Sequence, residues 1–334
     1  MSKSIAPHIR TEAHVGKMML DVLLAIIPLG VFAYVNYGVR PLYILLISML
    51  TAVGCEMLCC MLQRRPLRAA TDGSAAVTGL IIGLVMSPMA PYWLPMVGSA
   101  FAIFVAKAPF GGTGRNVFNP AAAGIALLTY CFPHLMFTYP AINSIEALPT
   151  GMTVPDTVIT AQSLAYQLKG GIAPSNTALQ FLLGDFAGPI GATAGLILLA
   201  FAGYLMVRRS ASPWIVLPYF GTCLVMTWLA PLDWMTPTLS TVTQLCAGYI
   251  LFTGVFLIND PVTAPRFWLG RLLYGVLTGL LVMLLQRVGR AEVGCCFAVL
   301  LANALSPILD RWSWYFWRWL TRKLRIRKEV KAYE

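Results

Sequence analysis

The chain has 334 residues, of which 58% are hydrophobic and only 11% charged. Soluble domains carry about 25% charged residues, so the composition excludes a soluble globule and makes lipid the solvent. The formal net charge of +11 would suit a nucleic-acid binder, but the basic residues gather at the ends of apolar segments, and no nucleic-acid partner is expected.

In chain order, a polar stretch with Lys3, His8, Arg10 and Lys17 precedes an apolar segment too long for the core of a signal peptide, so that segment is expected to stay as a membrane anchor. Apolar runs near 20 residues can cross a bilayer as helices that satisfy their own backbone. Ten are predicted, at about 19–38, 42–62, 74–90, 92–110, 119–139, 187–207, 212–230, 241–258, 269–286 and 291–309. The fold class is therefore all-α, a polytopic integral membrane protein with about ten transmembrane helices.

Residues 1–139 form an N-terminal five-helix half and 187–310 a C-terminal one, separated by a Pro/Thr/Ser/Gly-rich loop at 140–186 that is too long for a mere connector. A five-plus-five layout invites a repeat reading, yet the halves show no convincing self-similarity. Residues 311–334 form an aromatic and basic tail. There Trp312, Trp314, Tyr315, Phe316, Trp317 and Trp319 suit the headgroup layer, and the basic run from Arg322 to Lys331 is expected to hold anionic lipid.

Sorting the basic residues onto alternate sides of ten spans puts 20 on one side and only Arg40, Lys169, Arg287 and Arg290 on the other. By the positive-inside rule both termini are cytoplasmic and the 140–186 loop is external. The eight cysteines sit almost entirely in apolar segments without metal-ligand spacing, which predicts small buried hydrophobes and no metal.

Three Gly/Pro/Asn-rich stretches interrupt the spans on the cytoplasmic side: Thr71 to Ser74, Gly111 to Pro120 (GGTGRNVFNP) and Ile258 to Pro265 (INDPVTAP). Two readings stand. Asp72, Asn119 and Asp260 cap the helices that follow, with Pro120 and Pro261 in first-turn positions. Alternatively, Arg115, Asn116, Asn119, Asp260 and Thr263 meet in a polar pocket for an isoalloxazine or quinone-like ring. The glycine-rich stretch lacks the G-K-[ST] ending and preceding strand of a nucleotide-triphosphate loop.

Acids inside the membrane are costly and so need a partner or a purpose. Glu56 is the clearest, about two turns from Arg64 and Arg65, and is the candidate for an ion path. Asp21 and Glu292 fall near span ends and are expected at the interface, and His134 is expected as a hydrogen-bonded core residue.

Taken together, the blocks APHIRTEAHVGKMMLDVLLAIIP, DGSAAVTGL, GGTGRNVFNPAAAG, INDPVTAP followed by Gly270-Arg271, and EVGCCFAVLLANALSPILDR resemble the RnfD/NqrB family in order and spacing. About 130–235 matches poorly, and the short N-terminus is closer to RnfD. The resemblance implies a flavin-carrying membrane subunit of a bacterial inner-membrane complex that passes electrons from a donor such as reduced ferredoxin toward NAD, coupled to Na⁺ or H⁺ export. The other subunits of an Rnf-type complex would be its partners, and NAD would bind to them.

The resemblance also implies flavin mononucleotide (FMN) joined through its phosphate to a threonine of the external loop. In the best local match, Asp156 to Leu164, Gln162 occupies the acceptor position and has no hydroxyl. Thr160, two residues earlier, and Thr193, in Gly191-Ala192-Thr193, are the alternative acceptors; a noncovalent flavin or riboflavin is the third possibility. Two rivals remain: a secondary transporter or channel, and a cofactor-free scaffold subunit of the same complex.

Overall fold

The computed structural model describes residues 15–333 apart from 142–147, 152–157, 173, 175, 234, 289–291 and 293. Two long helices open it, α1 (Val15–Tyr37) and α2 (Arg40–Leu62). Then come α3 (Ser74–Val85) and α4 (Trp93–Phe101), which continues into a π-helical stretch (Ala102–Lys107). The first half ends with α5 (Pro120–Cys131) and the short α6 (Pro133–Phe137).

The intervening loop has structure of its own. β1 (Tyr139–Pro140) pairs antiparallel with β2 (Thr160–Ala161), and two one-turn helices follow, α7 (Leu164–Lys169) and α8 (Ala178–Leu183). Ser163 caps α7, and Thr177 with Gln180 forms a capping box on α8.

The second half holds α9 (Gly195–Val207), α10 (Pro213–Leu229), α11 (Pro237–Cys246) and α12 (Ile250–Phe252), the last running into a second π-helical stretch (Thr253–Leu257). It closes with α13 (Trp268–Val288) and α14 (Gly294–Tyr333).

Helix occupies all ten predicted segments, but among the described residues five are long and apolar enough to cross a membrane unaided, or six if the pair α11 and α12 with its π stretch, bent by 63°, counts as one span. The other four segments hold the shorter helices α3, α5, α9 and α10. At 1.5 Å per residue, the 12 residues of α3 reach only about 18 Å of a roughly 30 Å hydrocarbon core. Hydropathy overestimates α3 because its apolar run continues through Pro88 and Pro91, whereas the helix ends at Val85 and Met86 is extended.

That irregular stretch is buried in protein, and Arg40 satisfies it. Its guanidinium, 0% exposed, donates to Pro88 O (3.0 Å), Ala90 O (3.0 Å), Pro149 O (3.0 Å) and Gly151 O (2.6 Å). Arg40 is thus an internal clamp, not a solvated loop charge.

Helix pairs within each half approach to backbone contact. A Cβ on Gly79 of α3 would lie 2.6 Å from Ser48 O of α2, and one on Gly275 of α13 would lie 2.5 Å from Ile215 O of α10. The halves share one apolar core, with α5 against α14 and α1 against α9. The outer surface stays apolar, as with Ile27, Val31, Leu50, Leu224 and Leu284, which suits a lipid solvent. α14 runs for 40 residues, about 60 Å, so the aromatic and basic tail continues the last span as helix.

Candidate functional site

The three motif stretches meet at one end of the bundle. They surround a cavity of about 330 Å³ bounded by α1, α3, α5, the end of α9 and the second π-helical stretch. Met19, Val22, Val77, Ile81 and Phe256 give it apolar walls, and Ser74, Lys107, Thr113, Asn116, Asn119, Asn259, Asp260 and Arg266 supply polar groups. Size and lining fall in the range of small-molecule sites.

Asn119 serves both expected roles. Its Oδ1 accepts from Ala122 N at 3.2 Å and caps α5, with Pro120 at the first position, while its Nδ2 donates to Leu257 O at 2.8 Å, the end of the second π-helical stretch. Asp260 ties the loop after that stretch to the glycine-rich one: Asn116 Nδ2 donates to its Oδ2 at 3.2 Å, Thr263 Oγ1 to the same atom at 3.2 Å, and Val262 N to its Oδ1 at 3.1 Å. Burial pushes the Asp260 carboxyl above the ordinary aspartate value, against these bonds. No helix begins at Asp260, so the predicted cap is a turn.

Four of the five predicted pocket residues, Asn116, Asn119, Asp260 and Thr263, are therefore brought together. Arg115 is exposed and does not line the cavity.

Asn259 is a residue that sequence reading passes over. Its Nδ2 donates to Gly254 O and Val255 O, both at 3.0 Å, which leaves Oδ1 a buried acceptor without a partner among the described residues, at the cavity wall. A buried unpaired acceptor costs free energy unless a ligand donor meets it. An isoalloxazine ring presents such an N–H donor on an apolar body, so the lining fits a flavin.

Beside the cavity lies a buried charge network. Lys107 Nζ is 2.6 Å from Glu56 Oε1 and 2.7 Å from Oε2, and donates to Ser74 Oγ at 2.6 Å. Ser74 in turn donates from N (2.9 Å) and Oγ (2.6 Å) to Asp72 Oδ1, and its hydroxyl lies 3.0 Å from Thr113 Oγ1. Burial opposes the Asp72 carboxylate, but the Ser74 donors outweigh it and hold the group below the ordinary aspartate value. Asp72 acts from one residue before the N-cap, Gly73. The partner of Glu56 is Lys107, not Arg64 or Arg65; Lys107 closes the first π-helical stretch and turns inward, 3% exposed.

Two acids near helix ends are buried, and the expectation for His134 is corrected. Asp21, near the start of α1, and Glu292, between α13 and α14, lie near helix ends as expected but are buried against protein, Asp21 bound by Arg208 at 2.9 Å and Ser210 at 2.5 Å and Glu292 under Tyr139. His134 is exposed on α6 because Phe132 and Pro133 end the apolar helix before it.

The two threonine acceptors differ sharply. Thr160 is exposed on β2, next to Ala161 and the exposed Gln162. Thr193 is 1% exposed, its hydroxyl buried without a partner among the described residues just before α9. Asp156 and Thr157 lie outside the described residues.

Broken spans and polar loops that meet at a buried cavity define a polytopic membrane protein with a candidate ligand site inside its bundle. The chain belongs to the NQR2, RnfD, RnfE family, which it matches over residues 2–314. It is 30% identical to the D subunit of the proton-translocating ferredoxin:NAD(+) oxidoreductase complex of Clostridium ljungdahlii, with 93% of each chain covered. It is 33% identical to the D subunit of the ion-translocating oxidoreductase complex of Stutzerimonas stutzeri, covering 90% of this chain and 91% of that one, and 33% identical to its counterpart in Aeromonas salmonicida, covering 91% and 95%.

Proposed function

We propose that this chain is the flavin-carrying membrane subunit of an ion-translocating electron-transport complex linking ferredoxin and NAD. It works in the bacterial inner membrane, with both termini and the cavity on the cytoplasmic side and the β1–β2 loop outside. The other subunits of the complex are its partners. The observation that carries the reading is the 330 Å³ cavity with the unpaired Asn259 acceptor, in a chain related over nine-tenths of its length to components of ion-translocating oxidoreductase complexes.

A flavin held there supplies one- and two-electron chemistry. Asn119, Asn259 and Asp260 orient the ring, the apolar walls exclude water, and the Lys107–Glu56 pair provides an ion-path carboxylate next to it. In the external loop, an exposed Thr160 hydroxyl is the accessible covalent acceptor for FMN, and Thr193 is the alternative.

Purified wild-type protein should show a flavin spectrum, which a transporter, a channel or a cofactor-free scaffold would lack. Most of that flavin should be released on denaturation. Any fluorescent band surviving a denaturing gel should vanish in Thr160→Ala and persist in Thr193→Ala; the reverse moves the site to Thr193. Asn119→Ala together with Asp260→Ala should lower electron flux more than folded amount, and normal turnover in that variant would leave only capping roles for these residues.

A further inference from the structure

At the opposite end of the bundle from the cavity, Glu292 sits between α13 and α14 with only 5% of its surface exposed. Tyr139 of β1 donates its hydroxyl to Glu292 Oε2 at 3.1 Å, and the buried Ser163 hydroxyl is near enough to favour the ionised carboxyl. Tyr249, at the break between α11 and α12, brings a third buried hydroxyl up to both Glu292 and Tyr139. Three turns or loop ends that are far apart in sequence therefore place hydroxyls around one carboxyl.

No lysine or arginine forms an ion pair with Glu292 among the described residues. Arg287, one turn back on α13, donates instead to Ala230 O at 2.9 Å. The remaining titratable neighbours are the thiols of Cys295 and Cys296 at the start of α14, both buried. A carboxyl sealed from water without a cation, but ringed by hydroxyls, is built to bind a proton and to give it up at modest cost.

We propose that Glu292 is a proton-binding site on the external side, with Tyr139 and Ser163 holding its ionised form and Tyr249 and Thr253 forming its inward side. This rests on the ion-translocating reading above. When Glu292 ionises, its carboxyl O–H breaks, the proton passes to external water, and the negative charge stays on the carboxylate under the Tyr139 and Ser163 donors. Thr253 lies one turn beyond Tyr249, and its hydroxyl is likewise buried. It opens the second π-helical stretch, and Asn259, just past the far end of that stretch, lines the cavity. One broken span thus joins the carboxyl to the redox pocket. Burial, partly offset by Ser163 and Tyr139, pushes the carboxyl up to about 7, within the working range of a cell.

The test is an infrared pH titration of the purified complex in wild-type, Glu292→Gln and Tyr139→Phe forms. The wild type should show a protonated-carboxyl band lost with a midpoint near 7, unaffected by Na⁺ at constant pH. The band should be missing in Glu292→Gln, and its midpoint should rise in Tyr139→Phe, where a donor to the ionised form is gone. A titrating band that persists undiminished in Glu292→Gln, or one that Na⁺ removes at fixed pH, overturns the proposal. If Glu292→Gln fails to assemble, an unchanged midpoint in Tyr139→Phe overturns it equally. Ferredoxin-to-NAD electron transfer by the same wild-type preparation tests the function separately: its absence defeats that reading while the titration still reports on Glu292.

Discussion

Lys107 and Glu56 offer the sharpest test of the buried network, because their side chains are only 4% and 7% exposed and nothing else neutralises either charge so closely. Removing one partner of a buried pair strands the other charge and costs about 3–5 kcal/mol, whereas replacing both with neutral groups of similar volume is often nearly neutral. Lys107→Met leaves the buried Glu56 carboxylate without a cation, and also removes the 2.6 Å bond to the Ser74 hydroxyl. Glu56→Gln leaves an ammonium in the core with amide and hydroxyl acceptors, which is a milder loss. Taking roughly 2 °C per kcal/mol for a chain of this size, Lys107→Met should lower the thermal midpoint in detergent by about 6–10 °C. The Lys107→Met/Glu56→Gln double variant should recover to within about 3 °C of wild type. The assay is thermal aggregation of the solubilised complex, read as a double-mutant cycle. Additive losses in the two single variants would refute the pairing, since stranded charge is the only source of the predicted non-additivity.

Asn119→Ala should cost about 2–4 kcal/mol, from the lost α5 cap and the unmet Leu257 carbonyl, and should be visible as a lower thermal midpoint. Arg40→Lys should loosen the clamp on Pro149 and Gly151, because an ammonium has no planar fork for four carbonyls; faster proteolysis near residues 148–151 checks this, with a stability loss of about 2 kcal/mol. For Glu292, the folded value of about 7 stands above the ordinary 4.5, so the folded state holds more protons between those limits. Stability is then greatest below about pH 4.5 and falls as pH rises to 7, by up to roughly 3 kcal/mol; Glu292→Gln should flatten that part of the profile. Alkaline-phosphatase fusions should be active in the 140–186 loop and inactive at Lys331, and the opposite pattern would reverse the topology.

What is legible in the sequence is whatever is written locally. Each apolar run became helix, and the Asn119-Pro120 cap is readable because its donor lies three residues on. The meeting of Asn116 with Asp260, 144 residues apart, is legible only as a shared need for partners in low dielectric. The Lys107–Glu56 pair is not: Lys107 ends an apolar run and reads as one more solvated charge, and only the π-helical stretch turns it inward. The burial of Glu292 is not legible because its partner Tyr139 lies 153 residues away, in the part of the chain without family motifs. The break between α11 and α12 is hidden because Ala247, Gly248 and Tyr249 read as a continuing apolar run, whereas Gly248 adopts φ 63°.

The glycine contacts bear on how such a protein can move. With Gly79 against the backbone at Ser48 and Gly275 against the backbone at Ile215, α2–α3 and α10–α13 are each fused into a stiff plank that cannot slide without collision. Compliance is left to the kinked span at Gly248 and the two π-helical stretches, where the backbone can change register by one residue. Any stroke that accompanies ion passage is then a flexing at these joints or a movement between the planks, not a sliding of helices within one of them.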